Sequence, residues 1–285
     1  MKVWVRVLLP VLKICAYSMV IPLLLMLAPN VQATEEVPPI ALSGAKTQGG
    51  MLRGKIDPGS RVLLNQKEVK VGQQGHFVIG FGRDAALEQQ LTVIKNGSQR
   101  TITLHLSARE YNIQKIEGVA QKYVSPPEAV LQRIAEDNRQ IASARATDTD
   151  RLDFMQPFFW PADGPISGVY GSQRVFNGVP KRPHFGLDVA GPTGTDVVAP
   201  ADGRVLLWVA DMYYSGGTLI LDHGFGISST FIHLSKSLVR QGDEVRQGDK
   251  IAEIGDTGRT TGPHLDWRIN WFSERLDPQL LVPAR

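Results

Sequence analysis

The stretch Gly262-Pro263-His264-Leu265-Asp266-Trp267 sets a histidine and a carboxylate two positions apart, behind a Gly-Pro turn. On a strand, residues i and i+2 point to the same face, so both polar groups would look into one space. Two upstream segments carry the same chemistry: His184 and Asp188 stand four apart in "RPHFGLDVAG", and His233 closes the alternating run "STFIHLS". Imidazole and carboxylate are zinc ligands, and a hydrolytic zinc site needs three protein ligands, an open position for water and a nearby base. Extra histidines take a proton from water or stabilise a charged transition state. Glycines near these segments let backbone and substrate approach closely. Spacing alone admits a metal site and does not decide between that and ordinary strand residues.

Something must position these groups, and the region around them reads as short β runs broken by Gly, Asp and Pro. "GTDVVAPADGRVLLW", "GGTLILDHGFGISSTFIHLS" and "GDEVRQGDKIAEIGDTG" predict an antiparallel β domain over 158–285 without a long helix. Residues 34–109 also predict strands, with turn signals at Asp57-Pro58-Gly59, Asn65-Gln66 and Asn96-Gly97. Short strands at regular spacing suggest a small β-sandwich of Ig-like type. His76 and His105 sit singly there and read as strand-face residues. Between the two lies a linker, 110–157, with a helix at about 126–146. Ser125-Pro126-Pro127-Glu128 offers a capping box, and Val130, Leu131, Ile134 and Ile141 share one helical face. That pattern predicts a solvated helix packed by a single stripe. The fold class is therefore mostly β.

Residues 1–33 hold Lys2, Arg6 and Lys13, then an apolar run from Ile14 to Ala28 and a small-residue end at Val31-Gln32-Ala33. This predicts a cleaved secretory signal peptide, leaving no stable membrane anchor. The only cysteine, Cys15, falls inside it, which excludes disulfides and thiol catalysis in the mature chain. The segment also carries the basic bias. Of 31 Lys and Arg against 28 Asp and Glu, three basic and no acidic residues lie in 1–33. The mature chain is then formally neutral, which removes the main argument for nucleic acid as a partner.

The C-terminal domain resembles the lysostaphin/LytM-type zinc endopeptidases, which cut peptide bonds in peptidoglycan. The resemblance rests on His184-x-x-x-Asp188, on Phe231-Ile232-His233-Leu234-Ser235, and on Gly262-Pro263-His264-Leu265-Asp266, in that order. "APADGRV" and "VRQGDKIAEIGDTGRTTGPHL" resemble the surrounding scaffold. It implies that His184 and Asp188 bind Zn²⁺, and that His233 and His264 are catalytic. It also implies peptide stems of peptidoglycan as substrate and an exported, periplasmic location of the Gram-negative kind. His223 has no ligand role in that pattern and reads as structural. Tyr170, Arg182, Tyr213 and Tyr214 are candidate groove residues.

One position departs. The family's third ligand is a histidine, and here it is Asp266. A carboxylate also binds zinc, at about 2.0–2.2 Å. It lowers the formal charge of the metal and its ligands from plus one to zero, so bound water should be less acidic and selectivity for zinc weaker. The resemblance thus implies a zinc metalloendopeptidase. The alternative is a degenerate, non-catalytic LytM domain that binds and activates a cell-wall amidase.

Overall fold

The computed structural model describes residues 1, 40–116 and 127–285. The segment read as a signal peptide, and Ser125 and Pro126 of the expected capping box, lie outside the described residues. The N-terminal strands are β1 (Ala41–Gly44), β2 (Met51–Lys55), β3 (Arg61–Leu64), β4 (Lys67–Val69), β5 (His76–Gly80), β6 (Glu88–Lys95) and β7 (Ser98–His105). They form two antiparallel sheets, ordered β1-β2-β5 and β4-β3-β6-β7. Alternation directs the packing: Leu91 and Val93 of β6 point inward with Val62 of β3 and Phe77 of β5. The turn residues Asn65-Gln66 and Asn96-Gly97 all hold positive φ, as two-residue hairpins of the primed type require.

The chain then forms β8 (Ile113–Ile116) and, after a single 3₁₀ turn at Glu128–Val130, α1 (Leu131–Arg145). Part of the segment read as linker is therefore a strand, since β8 runs parallel to β10 (Gln173–Phe176). The helix also differs from expectation. Leu131 of the supposed stripe is 47 % exposed, while Ile134 and Ile141 face a cavity shared with the C-terminal sheet. The helix thus forms one wall of that cavity.

The remaining strands are β9 (Ile166–Gly168), β11 (Val179–Pro180), β12 (Leu187–Ala190), β13 (Asp196–Val198), β14 (Gly203–Met212), β15 (Gly216–Gly224) and β16 (Ile227–Ser237). They continue through β17 (Glu244–Val245), β18 (Lys250–Ile254), β19 (His264–Trp271) and β20 (Glu274–Leu276). The main path runs β17-β14-β15-β16-β19-β12-β9, all antiparallel. Every residue of β15 is buried, and β16 pairs with it on one side and with β19 on the other. The core combines Leu219, Phe231, Leu265 and Trp267 of this sheet with Met51 and Val78 of the N-terminal sheets. Arg109 and the buried Asp277 tie the two parts by an ion pair at 2.7 Å.

Candidate metal centre

Antiparallel pairing of β12 and β19 sets Asp188 directly opposite Asp266, and Ala190 opposite His264. Residues directly opposite share a face, and two like charges there destabilise the pair. The register therefore favours positive charge beside the two carboxylates. His184 precedes β12 and swings its ring into the gap. Its Nε2 lies 3.1 Å from Asp188 Oδ1 and 3.3 Å from Asp266 Oδ2. One ligand atom from each of the three residues lies within 4.8 Å of the other two. Two glycines make the space. A Cβ on Gly186 would meet Asp266 Oδ1 at 1.9 Å, and one on Gly168 would meet Asp188 Oδ2 at 2.2 Å.

The fourth member is Arg268, which the sequence reading missed. It donates to Asp266 from Nε at 2.9 Å and from Nη2 at 2.5 Å, a two-pronged pair of the strong kind. The signal was present, because the i+2 rule that joins His264 to Asp266 also places Arg268 on that face. Burial alone would raise the pKa of Asp266, but the charge and hydrogen bonds of Arg268, with His184, hold it far below the usual carboxylate range. For His184 burial opposes the charged form. The Asp188 and Asp266 carboxylates outweigh it and raise this histidine to about 10. Without a metal, two carboxylates, a guanidinium and an imidazolium balance to neutrality.

The two remaining histidines lie side by side, ring centroids 4.8 Å apart. His233 Nδ1 is 2.8 Å from the Thr257 carbonyl, and His264 Nδ1 is 2.8 Å from the Gly262 carbonyl. A carbonyl only accepts, so each Nδ1 carries a proton, which in a neutral ring leaves Nε2 with its lone pair. Burial lowers the pKa of His233, which keeps that lone pair available at neutral pH. His233 also has a φ of 66°, a left-handed conformation uncommon for a residue with a side chain and concentrated at functional sites. Its N–H donates to the Ser215 carbonyl at 2.8 Å, in a stretch where the ladder register of β16 shifts.

The five residues named from the sequence as candidate ligands or catalytic groups thus meet at one end of β12, β16 and β19. The others separate. His223 is fully buried, with Nδ1 2.7 Å from the Asp202 carbonyl and Nε2 2.7 Å from Ser229 Oγ, a structural position. His105 is exposed on the N-terminal sheet, and His76 lies on β5. Tyr170 is no groove residue: it is 2 % exposed and its hydroxyl donates to the Arg275 carbonyl. Tyr213 does not line the cavity beside the cluster, whereas Tyr214 and Arg182 do.

Residues 182–278, which span the whole constellation, match the model of peptidase family M23. These residues thus form a peptidase M23 domain. Similar proteins include the peptidoglycan DD-endopeptidase ShyA of Vibrio cholerae, 38 % identical over 114 residues, or 39 % of this chain and 26 % of that protein. They also include the murein hydrolase activator NlpD of Escherichia coli, 31 % identical over 126 residues, or 44 % and 31 % of the two chains. The matches thus span well under half the length of these curated relatives. A solved Pseudomonas aeruginosa structure assigned to peptidase M23 superposes with a TM-score of 0.64 at 28 % identity, over 83 % of this chain and 94 % of that one.

Proposed function

We propose that this chain is an exported zinc endopeptidase that hydrolyses peptide cross-links of peptidoglycan. Its ion would be held by His184, Asp188 and Asp266. One observation carries this reading. Bonds of about 2.0–2.2 Å to a tetrahedral ion put neighbouring ligand atoms roughly 3.3–3.6 Å apart, and the His184 ring nitrogen stands 3.1 and 3.3 Å from the two carboxylate oxygens. Asp188 Oδ1 is also buried, and its one close polar neighbour among the described residues is the His184 ring nitrogen at 3.1 Å. A buried anionic oxygen with so few partners fits a cation.

Zinc bound there would supply Lewis-acid polarisation and a more acidic water. The chain's own residues supply the rest. Asp266 is held in one orientation by Arg268, so its Oδ2 keeps its direction toward His184. His233 Nε2 is the base that receives the proton of water, held neutral by burial. His264, whose Nε2 is 3.9 Å from Asp188 Oδ1, faces the same space, and in its doubly protonated form it would donate to the oxygen or nitrogen that gathers charge as the peptide bond breaks. Arg268 changes the electrostatics expected for an aspartate ligand. One divalent ion, two carboxylates, a neutral histidine and one guanidinium leave a net charge of plus one, as for a His, His, Asp set alone.

The second reading is a non-catalytic domain that activates a cell-wall amidase by contact. The grip of Arg268 on both oxygens of Asp266 favours it, because the cluster is neutral without a metal. Metal content and cleavage decide between the two. The purified chain should hold close to one zinc and cleave cross-linked muropeptides, and chelation should stop cleavage. Less than stoichiometric metal, with no cleavage at any pH, gives the activator reading.

A further inference from the structure

A cavity of about 490 Å³ lies between α1 and the sheet, beside the metal centre, with His233 in its wall. Five arginines line it, Arg145, Arg182, Arg259, Arg268 and Arg275, against one acid, Asp137. Asp137 accepts the Tyr213 N–H at 2.8 Å, and Arg268 is committed to Asp266. Arg259 lies over the Tyr214 ring, and Arg182 over that of Phe185. Neither Arg145, Arg182 nor Arg275 has a carboxylate within ion-pair distance among the described residues.

Arg145 is the decisive group. It is only 7 % exposed, donates one side-chain hydrogen bond, to Thr230 Oγ1 at 2.9 Å, and its Nε is buried without a partner among the described residues. Burial, and then the charges of Arg275, Arg268 and Arg182, push its guanidinium well below the ordinary arginine value. Its place in the last turn of α1 is favourable for a cation, but leaves Nε without an acceptor. A buried charge without a counter-ion is costly, and a fork of N–H donors matches a carboxylate.

We propose that this cavity is a carboxylate-binding subsite, in which Arg145 and Arg275, with Arg182 at the rim, hold a free carboxylate of a peptide ligand. The substrate class is then an acidic peptide with a free carboxylate close to the scissile bond, an identification that rests on the endopeptidase reading. In this role α1 is a wall of the binding groove and Arg145 a specificity residue.

Titration calorimetry on the full chain, in chelator to prevent turnover, tests this. The probes are an acetylated stem tetrapeptide with its carboxylates free, the same peptide fully amidated, and inorganic phosphate. The free acid should bind at least about tenfold tighter than the amide, and Arg145→Gln and Arg275→Gln should each remove most of that preference. Should Arg145→Gln fail to fold, Arg182→Gln at the rim must still reduce the preference. Equal binding of acid and amide overturns the proposal, as does phosphate binding tighter than the acid peptide. The two readings fail separately. A preference for the acid in a chain that holds no zinc and cleaves nothing leaves the subsite standing and sinks the endopeptidase. Cleavage of acid and amide peptides at equal rates sinks the subsite alone.

Discussion

Asp266 and Arg268 stand two positions apart on β19, face the same way, and are joined by hydrogen bonds of 2.9 and 2.5 Å. This pair reverses the expectation that an aspartate ligand leaves the centre with less positive charge. The guanidinium returns the unit that the aspartate removes. It also fixes the carboxylate plane, a partner role that in metal sites tunes the ligand. The two residues form one unit, and their substitutions should not act independently.

Arg268→Met tests the pair without reference to turnover. Asp266 would then be buried opposite Asp188 with His184 as its one ion-pair partner among the described residues, and breaking a buried pair from one side costs about 3–5 kcal/mol. In chelator the variant should melt well below the wild type. Zinc should then raise its melting temperature by more than it raises that of the wild type, because the ion becomes the remaining strong counter-charge. Indistinguishable melts in chelator would show that Arg268 does not neutralise Asp266.

Asp266→His restores the residue expected at the third ligand position, yet alone it should weaken zinc binding. Arg268 would lose its carboxylate and lie as a cation beside the ion. Asp266→His combined with Arg268→Gln should recover affinity, with a coupling of about 0.5–3 kcal/mol, as for contacting residues in one network. Zinc affinities of the wild type, both single variants and the double variant, measured with a competing chelator, close the cycle. Strictly additive effects would refute the unit.

The grouping of His184, Asp188 and Asp266 was legible because strand alternation is local. His264 and Asp266 share a parity, and His184-x-x-x-Asp188 leads directly into β12. Arg268 obeys the same alternation but escaped notice, since arginine is not a metal ligand. Arg145 could not be found that way. Its burial comes from the docking of α1 against Thr230 on β16, residues 85 apart in sequence. Tyr170 went wrong for a related reason. An aromatic beside glycine reads as a groove residue, but its hydroxyl finds the carbonyl of Arg275, 105 residues away. Periodicity reports which face a residue occupies and leaves open what covers that face.

Gly186→Ala probes the space the centre requires. The added methyl would stand 1.9 Å from Asp266 Oδ1 and 2.9 Å from Arg268 Cγ, so the carboxylate must move. Overpacking of this kind costs about 1–3 kcal/mol. Zinc affinity should fall at least about tenfold, the range seen when ligand orientation is disturbed. Unchanged affinity in a folded variant would mean that the carboxylate has another route to the ion.

His223 supplies a pH prediction away from the candidate metal centre. It is fully buried, and burial lowers its pKa below 6.5, partly opposed by its bond to the Asp202 carbonyl. Above about pH 6.5 neither the folded nor the unfolded chain protonates it, and it adds no pH dependence. As the pH falls below 6.5 the unfolded chain takes up the proton first, so stability declines, at most by about 1.4 kcal/mol per pH unit for one proton. His223→Gln should lower the stability at pH 7.5 by removing part of the bonding to Asp202 and Ser229. It should also flatten the loss between pH 6.5 and pH 5. Urea denaturation of both proteins at several pH values, in chelator, isolates the difference, since all other titrating groups are common to the two. Parallel curves would show that His223 becomes charged inside the folded protein and that its burial does not exclude the proton.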